Sequence, residues 1–308
     1  MTRQYLRKCS LVVGDPSGKA LELSDLRVRF TVWQGTTQSP HQATVRVYNL
    51  SDATKVRVQQ EFTQLQLQAG YDGIFGRLLL GTLIQKRAGR ESGADTFIEM
   101  IAVDGDTAYN QSVINTTLAA GASPTDIQRS IVKALSEYGV SMGAAPELPA
   151  TQLPRGKVMF GMTRDYLRGH ARATNTTWNF SGGQINFIPL DGYLGDPGQA
   201  LVLTARTGMI GLPTQALDGI IVRCLLNPNV KVGTLIKLDN ASIQQARFSA
   251  DYQALNEKLP SLADDGIYKV LAASHVGDTR GNEWYTNIVC SSINGTQPYT
   301  QSTLSVVP

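Results

Sequence analysis

The side chains able to do chemistry are few and far apart in this 308-residue chain. His41, His170 and His275 each stand alone, with no second histidine or cysteine at the spacing a metal requires. Cys9, Cys224 and Cys290 form no C-x-x-C pair, so buried free thiols in a reducing compartment are expected, not a disulfide framework or a zinc site. Two acid pairs, Asp104 with Asp106 and Asp264 with Asp265, have the composition that glycoside hydrolysis uses. Both lie beside glycine, where aspartate serves a turn by bonding its own backbone, and they are read that way. Gly70-Tyr71-Asp72-Gly73, with Gly76 and Gly81, has the glycines of a phosphate-cradling loop but sits between strands with no helix following, so a hairpin turn is expected. No nucleophile elbow, Walker loop or H-E-x-x-H pattern occurs. The expectation is a protein with no catalytic, cofactor or metal site.

Arg164, Arg168 and Arg172 are four residues apart, which places them on one face of a helix. A solvated face explains them; a contact with an acidic neighbour or with passing nucleic acid is the alternative. Trp33, Trp178 and Trp284 occur in strand-like contexts, where tryptophan anchors a core or an interface. Charged residues make up 17% of the chain and the formal net charge is +3, with no run of Lys or Arg, so a dedicated nucleic-acid binder is not expected. A polar, weakly charged surface suits burial against other subunits. No export signal is legible and no apolar stretch reaches the ~18 residues of a membrane helix, so a soluble protein without a membrane anchor is expected.

These residues need a frame, and the periodicity supplies one. Leu26, Val28, Phe30 and Val32 alternate with polar residues, the pattern of a strand with one wet face. Segments 44–50, 64–71, 75–86 and 96–103 read the same way, with a short helix over 51–62 capped by Ser51 or Asp52, so the first ~105 residues predict an antiparallel barrel or sandwich. The texture then changes. Ser123-Pro124-Thr125-Asp126 starts a helix whose Ile127, Ile131, Val132, Leu135 and Tyr138 share a face before Gly139 ends it. After the Pro-rich connection 146–154, a second helix begins at Thr163 with Tyr166, Leu167, His170 and Ala171 on one side. A hairpin over 178–188 turns at Ser181-Gly182-Gly183. Strands are expected again at 201–205, 219–226, 233–238, 266–275 and 283–291. The polar stretch 249–265 is a long loop expected to be ordered by a partner.

Several segments together resemble the baseplate hub and tail-tip (late control protein-like) family of tailed bacteriophages. The run from Gly70 to Gln85, followed by Thr96-Phe-Ile-Glu-Met-Ile-Ala-Val-Asp-Gly105, is similar to the first β module of that family. The helix over 124–138, the segment Thr163-Arg-Asp-Tyr-Leu-Arg168 and the 178–188 hairpin resemble its helix, helix and hairpin insert. Leu225-Leu-Asn-Pro-Asn-Val-Lys-Val-Gly233 and His275-Val-Gly-Asp-Thr-Arg-Gly-Asn-Glu-Trp-Tyr-Thr286 resemble its returning β module, the last being the most specific motif.

The resemblance implies an α+β, predominantly β fold: two antiparallel tail-tube-like modules, 1–110 and 196–308, flanking a small helix-helix-hairpin module, 111–195. It implies a homotrimeric ring of pseudo-sixfold shape, in the virion baseplate of a contractile tail and assembled in the host cytoplasm. The ring would join the tail tube protein to the central spike protein, touch other baseplate proteins and line a channel for transient DNA contact during genome ejection. Within this picture Gly277 to Gly281 form the turn of a hairpin, with His275 at a strand end, Asp278 and Trp284 in the hairpin, and Arg280 bonding backbone carbonyls or a neighbouring acid. A tail-associated cell-wall hydrolase and a receptor-binding adhesin are the alternatives.

Overall fold

The computed structural model describes residues 6–15, 17–216, 219–245 and 262–293. The first run comprises β1 (Arg7–Gly14), β2 (Ala20–Glu22), β3 (Val28–Gly35), β4 (Gln42–Tyr48), helix α1 (Asp52–Gln60), β5 (Gln64–Tyr71), β6 (Ile74–Arg90) and β7 (Thr96–Val103). Alternation sets the faces. In β3, Val28, Phe30 and Val32 are buried and Arg29 is exposed; in β5, Leu65 and Leu67 point in while Gln64, Gln66 and Gln68 do not. These side chains join Leu11, Val13, Val45, Val47 and Met100 in one core. Helix α1 starts at Ser51, whose hydroxyl accepts the Thr54 N–H.

The middle run holds α2 (Asp106–Gln111), β8 (Val113–Leu118), α3 (Pro124–Ser136), β9 (Ser141–Met142), β10 (Lys157–Met162), α4 (Thr163–Ala173), β11 (Thr176–Ser181) and β12 (Gln184–Pro189). The Ser123 hydroxyl accepts the Asp126 N–H while the Asp126 carboxylate accepts that of Ser123, closing the capping box the sequence predicts. Ile127, Ile131 and Leu135 of α3 meet Leu167 and Ala171 of α4, with Trp178, Phe180 and Phe187 of the β11–β12 hairpin filling a second core. Gly182 and Gly183, at φ 64° and 77°, make the hairpin's two-residue turn, which needs positive φ at both positions.

The last run consists of β13 (Leu201–Val202), β14 (Met209–Ala216), β15 (Gly219–Leu225), β16 (Leu235–Lys237), β17 (Gln244–Gln245), β18 (Ile267–Asp278) and β19 (Trp284–Ser292). The large sheet runs β17-β14-β15-β19-β18-β3-β4-β7-β6-β5-β1-β2, an open path. The architecture is α+β and mostly β, as expected, with no closed barrel among the described residues: the strand path is open, and the inner faces of β1 and β3–β7 enclose one core. The two β runs are joined by the antiparallel β18–β3 ladder, where His275 faces Val32. Each run keeps its own core, although Leu226 and Trp284 from the last run complete the first.

Several local expectations change. The strand expected over 201–205 is only the two residues of β13, and the chain then turns through Ala205–Thr207, where the Thr207 hydroxyl donates to the Val202 carbonyl. The one expected over 233–238 shrinks to three residues. Strands β1, β2, β8, β9, β10, β14 and β17 are additions. β1 opens with Arg7 and Lys8, and β14 contains Pro213 and a left-handed Gly211, so neither reads as a regular strand. The predicted loop over 249–265 lies mostly outside the described residues; at its end the Asp265 carboxylate accepts the Ile267 N–H and leads into β18. No described helix is long and apolar enough to cross a membrane.

Candidate functional site

The His275 to Trp284 motif is the connection between β18 and β19, and it fastens the last run onto the first. Asp278 accepts from Arg27 Nε at 3.2 Å and Nη2 at 2.7 Å, and from the Arg280 N–H at 3.0 Å. Burial alone would raise this carboxyl; the bonds from Arg27 and the turn amides outweigh it and hold it below the usual range. Thr279 accepts the Val28 N–H at 2.9 Å, and Arg280 donates to the Asp25 carbonyl at 3.3 Å. Trp284, 2% exposed, meets Phe30 edge-on at 5.5 Å and donates its indole N–H to the Gly70 carbonyl. A Cβ on Gly277 would collide with Phe30 and come within 2.9 Å of Trp284, so only glycine lets the two rings meet.

His275 lies inside β18, not at its end, and is fully buried, with Nδ1 2.9 Å from the Thr286 hydroxyl. Burial pushes it down to about 3, and His41 on the same face down to about 4. Both imidazoles are neutral, and the Nε2 of each has no hydrogen-bond partner. They form a polar seam where the two β runs join.

The three arginines do not share one environment. Arg168 donates to the Tyr109 hydroxyl at 2.6 Å and pairs with Asp165; Arg164 donates to Asn110 at 3.1 Å and lies 5.6 Å from the Tyr109 ring. Both clamp α2 onto α4, and Arg172 faces solvent.

Two buried charges, Asp104 and Lys269, bracket the β11–β12 hairpin. Asp104, 2% exposed, uses its carboxylate on the amides of Gly182 and Gly183, at the tip of the β11–β12 hairpin. It is not a self-bonded turn residue: its partners are 78 and 79 positions away. Burial pushes its pKa up to about 6, against the two amide bonds and the Arg77 charge that pull it down. Lys269, 3% exposed, donates to the carbonyls of Pro189, Leu190 and Gly192 at 2.8–3.0 Å, at the other end of that hairpin. Burial pulls it down to about 8, with Asp191 opposing. Its signal was legible: one cation in the apolar run Ile267-Tyr-Lys-Val-Leu-Ala-Ala implies an internal partner.

A crevice of about 540 Å³ runs between the three runs, lined by Gln34, Arg77, Asn179, Gly182, Asn229 and Lys231. Its polar groups are mainly amides and two exposed cations, with no convergent acids. Among the described residues no group of three or more His, Cys, Asp or Glu could hold a metal. The expected acid pairs are separated by role: Asp106 bonds Asn110, and Asp265 its own turn. Cys224 and Cys290 are buried free thiols whose pKa burial raises; Cys9 is half-buried and also free.

No family model matches the sequence, and no curated protein matches it by sequence. Solved structures do match. The 43 kDa tail protein of prophage MuSo2 from Shewanella oneidensis is 7% identical with a TM-score of 0.58, over 94% of this chain and 98% of that one. A tail protein from Neisseria meningitidis MC58 is 9% identical at 0.59, over 94% and 97%. The E. coli c3393 protein, described as a type VI secretion component structurally similar to the T4 bacteriophage tail proteins gp27 and gp5, is 13% identical at 0.52, over 99% and 80%. At such identities the likeness is one of fold alone: the fold of this chain is similar to that of these solved tail proteins.

Proposed function

We propose that this chain is a structural hub subunit of a phage tail baseplate, forming a ring that joins the tail tube to the central spike and lines the DNA channel. The observation that carries the reading is whole-chain fold agreement with two tail proteins, covering nearly all of both partners. The continuous sheet agrees with it: a ring part must transmit load, and the Arg27–Asp278 pair with the β18–β3 ladder makes one body of the two β runs. In this reading the tail-tube-like modules are 1–110 and 196–308, the insert is 111–195, and the assembly is a homotrimer of a contractile tail, located in the virion and built in the host cytoplasm. Its partners are the tube protein, the spike protein and other baseplate proteins. Hairpin residues His275, Asp278, Arg280 and Trp284 hold the ring subunit rigid, and Arg172 is the one of the three helix arginines whose exposure leaves it free to meet DNA or a partner.

The test is reconstitution of purified chain with tube and spike proteins, followed by imaging for threefold rings. A monomer that joins neither protein overturns the hub. Peptidoglycan clearing by the purified chain would instead establish the hydrolase. Replacing Arg164, Arg168 and Arg172 together and measuring particle assembly and DNA delivery separately tests the channel; unchanged delivery removes DNA contact.

A further inference from the structure

Among the described residues, the two-stranded ribbon β8–β10 leaves one strand edge open. Tyr166 places its hydroxyl on the outer edge of β10, accepting the Phe160 N–H at 2.9 Å and lying 3.3 Å from the Phe160 carbonyl. Those two groups therefore point away from β8, so Phe160 and its opposite number Asn115 form a pair without mutual hydrogen bonds. By alternation, Val113, Asn115 and Thr117 aim their N–H and C=O groups off the far edge of β8. Among the described residues that strand pairs with β10 alone, and the side chains of all three residues are exposed.

Other edges among the described strands are blunted, as natural sheets require. β2 and β13 have three and two residues, the uncovered half of β1 carries Arg7 and Lys8, and β11 is buried along its length. β14 breaks register between Ile210 and Thr214 and contains Pro213. The edge of β8 has none of these devices. Its sequence, Val-Ile-Asn-Thr-Thr-Leu, is rich in β-branched residues, and no charge occurs from 111 to 122.

We propose that β8 pairs antiparallel with β8 of a second copy of this chain, about a twofold axis at Asn115. The three outward residues are self-complementary: Asn115 faces Asn115 of the second copy and Val113 faces its Thr117, so about six hydrogen bonds close a four-stranded sheet. Neither partner brings a charge that would repel its own copy. Half-exposed Val113 gains a covering neighbour, and the register is set because a one-residue slip would oppose groups already used by β10. The pairing rests on the open edge and not on the ring proposed above, since a twofold contact does not build a threefold ring.

The test uses the full chain in sedimentation velocity over a concentration series, with Asn115→Lys and Asn115→Pro. Neither variant disturbs the β10 ladder, because the Asn115 N–H and C=O face away from it. Wild type is expected to associate in pairs through this edge, and each variant to weaken that step by at least about tenfold. In a Cys9→Ser background, Asn115→Cys is expected to form a disulfide-linked dimer, because facing hydrogen-bonded positions are ~5.5 Å apart. Association that neither variant changes, together with no disulfide, overturns the pairing and leaves the hub reading standing. Dimers through Asn115→Cys in a chain that joins no tube or spike protein sustain the pairing and overturn the hub. A monomer at all concentrations, binding another tail protein in a manner lost in Asn115→Lys, overturns self-pairing in favour of a partner's strand.

Discussion

At its tip the β11–β12 hairpin meets a buried carboxylate; at its base it meets a buried ammonium. The tip is a turn of two left-handed glycines, which aims successive amides outward, and Asp104 at the end of β7 accepts two of them. The base is the irregular exit from β12, where carbonyls lose their ladder partners, and Lys269 of β18 takes three. The sign of each charge follows from which backbone group the hairpin leaves unpaired. The small module is therefore fixed at both ends of one hairpin: a buried ion from each β run holds its main chain, not its side chains. Sequence change in the hairpin can therefore leave both ties intact.

The largest way to break this symmetry is Lys269→Met. It keeps the aliphatic stem but strands three carbonyls, and a loss of about 3 kcal/mol in urea denaturation is expected. Acid titration separates the ends next. The Asp104 pKa is raised in the folded state, so its contribution is full below about 3.8 and is lost as pH rises through about 6, by roughly 3 kcal/mol. His41 and His275 are depressed and run the other way: the stability present above about 6.5 falls as pH drops toward their folded values of about 4 and about 3. Asp104→Asn removes the opposing contribution, so its stability should fall more steeply than wild type between pH 6 and 4. Parallel curves would show that Asp104 does not titrate there.

At pH 7 the same Asp104→Asn substitution keeps one acceptor for the Gly182 amide and should cost about 1–2 kcal/mol, read from the shift of the urea midpoint. Combined with Lys269→Met it should be additive within about 0.5 kcal/mol, because a six-residue hairpin holds the two ends roughly 15–20 Å apart. A larger coupling would mean that the hairpin tilts as one lever. Smallest is Arg77→Ala, which removes an exposed bond to the Gly182 carbonyl and should change stability by no more than about 0.5 kcal/mol.

Much of this frame was legible in the residues. The alternation of Val28, Phe30 and Val32, the Ser123 capping box and the Gly182-Gly183 turn are local patterns, and each appears where its chemistry demands. The Gly277 to Gly281 turn is also a local pattern, between the end of β18 and the start of β19. What escaped was non-local. Tyr109, which engages Arg164 and Arg168, lies on another helix, and α2 itself was not predicted. Asp104 read as a turn residue because its glycine neighbour is adjacent in sequence, whereas its partners are adjacent only in space.

Local residue order is enough to say which stretches are strands with one apolar face and where two helices begin, and it spells out no catalytic constellation. Those follow from period, caps and turn chemistry, all set within a few residues. That β18 pairs with β3 to join two β runs, that opposite charges hold the two ends of one hairpin, and that β8 keeps an open edge among the described residues follow only once the chain has packed. Each is a matter of which backbone groups are left unpaired once the chain has packed, and that accounting closes only in three dimensions.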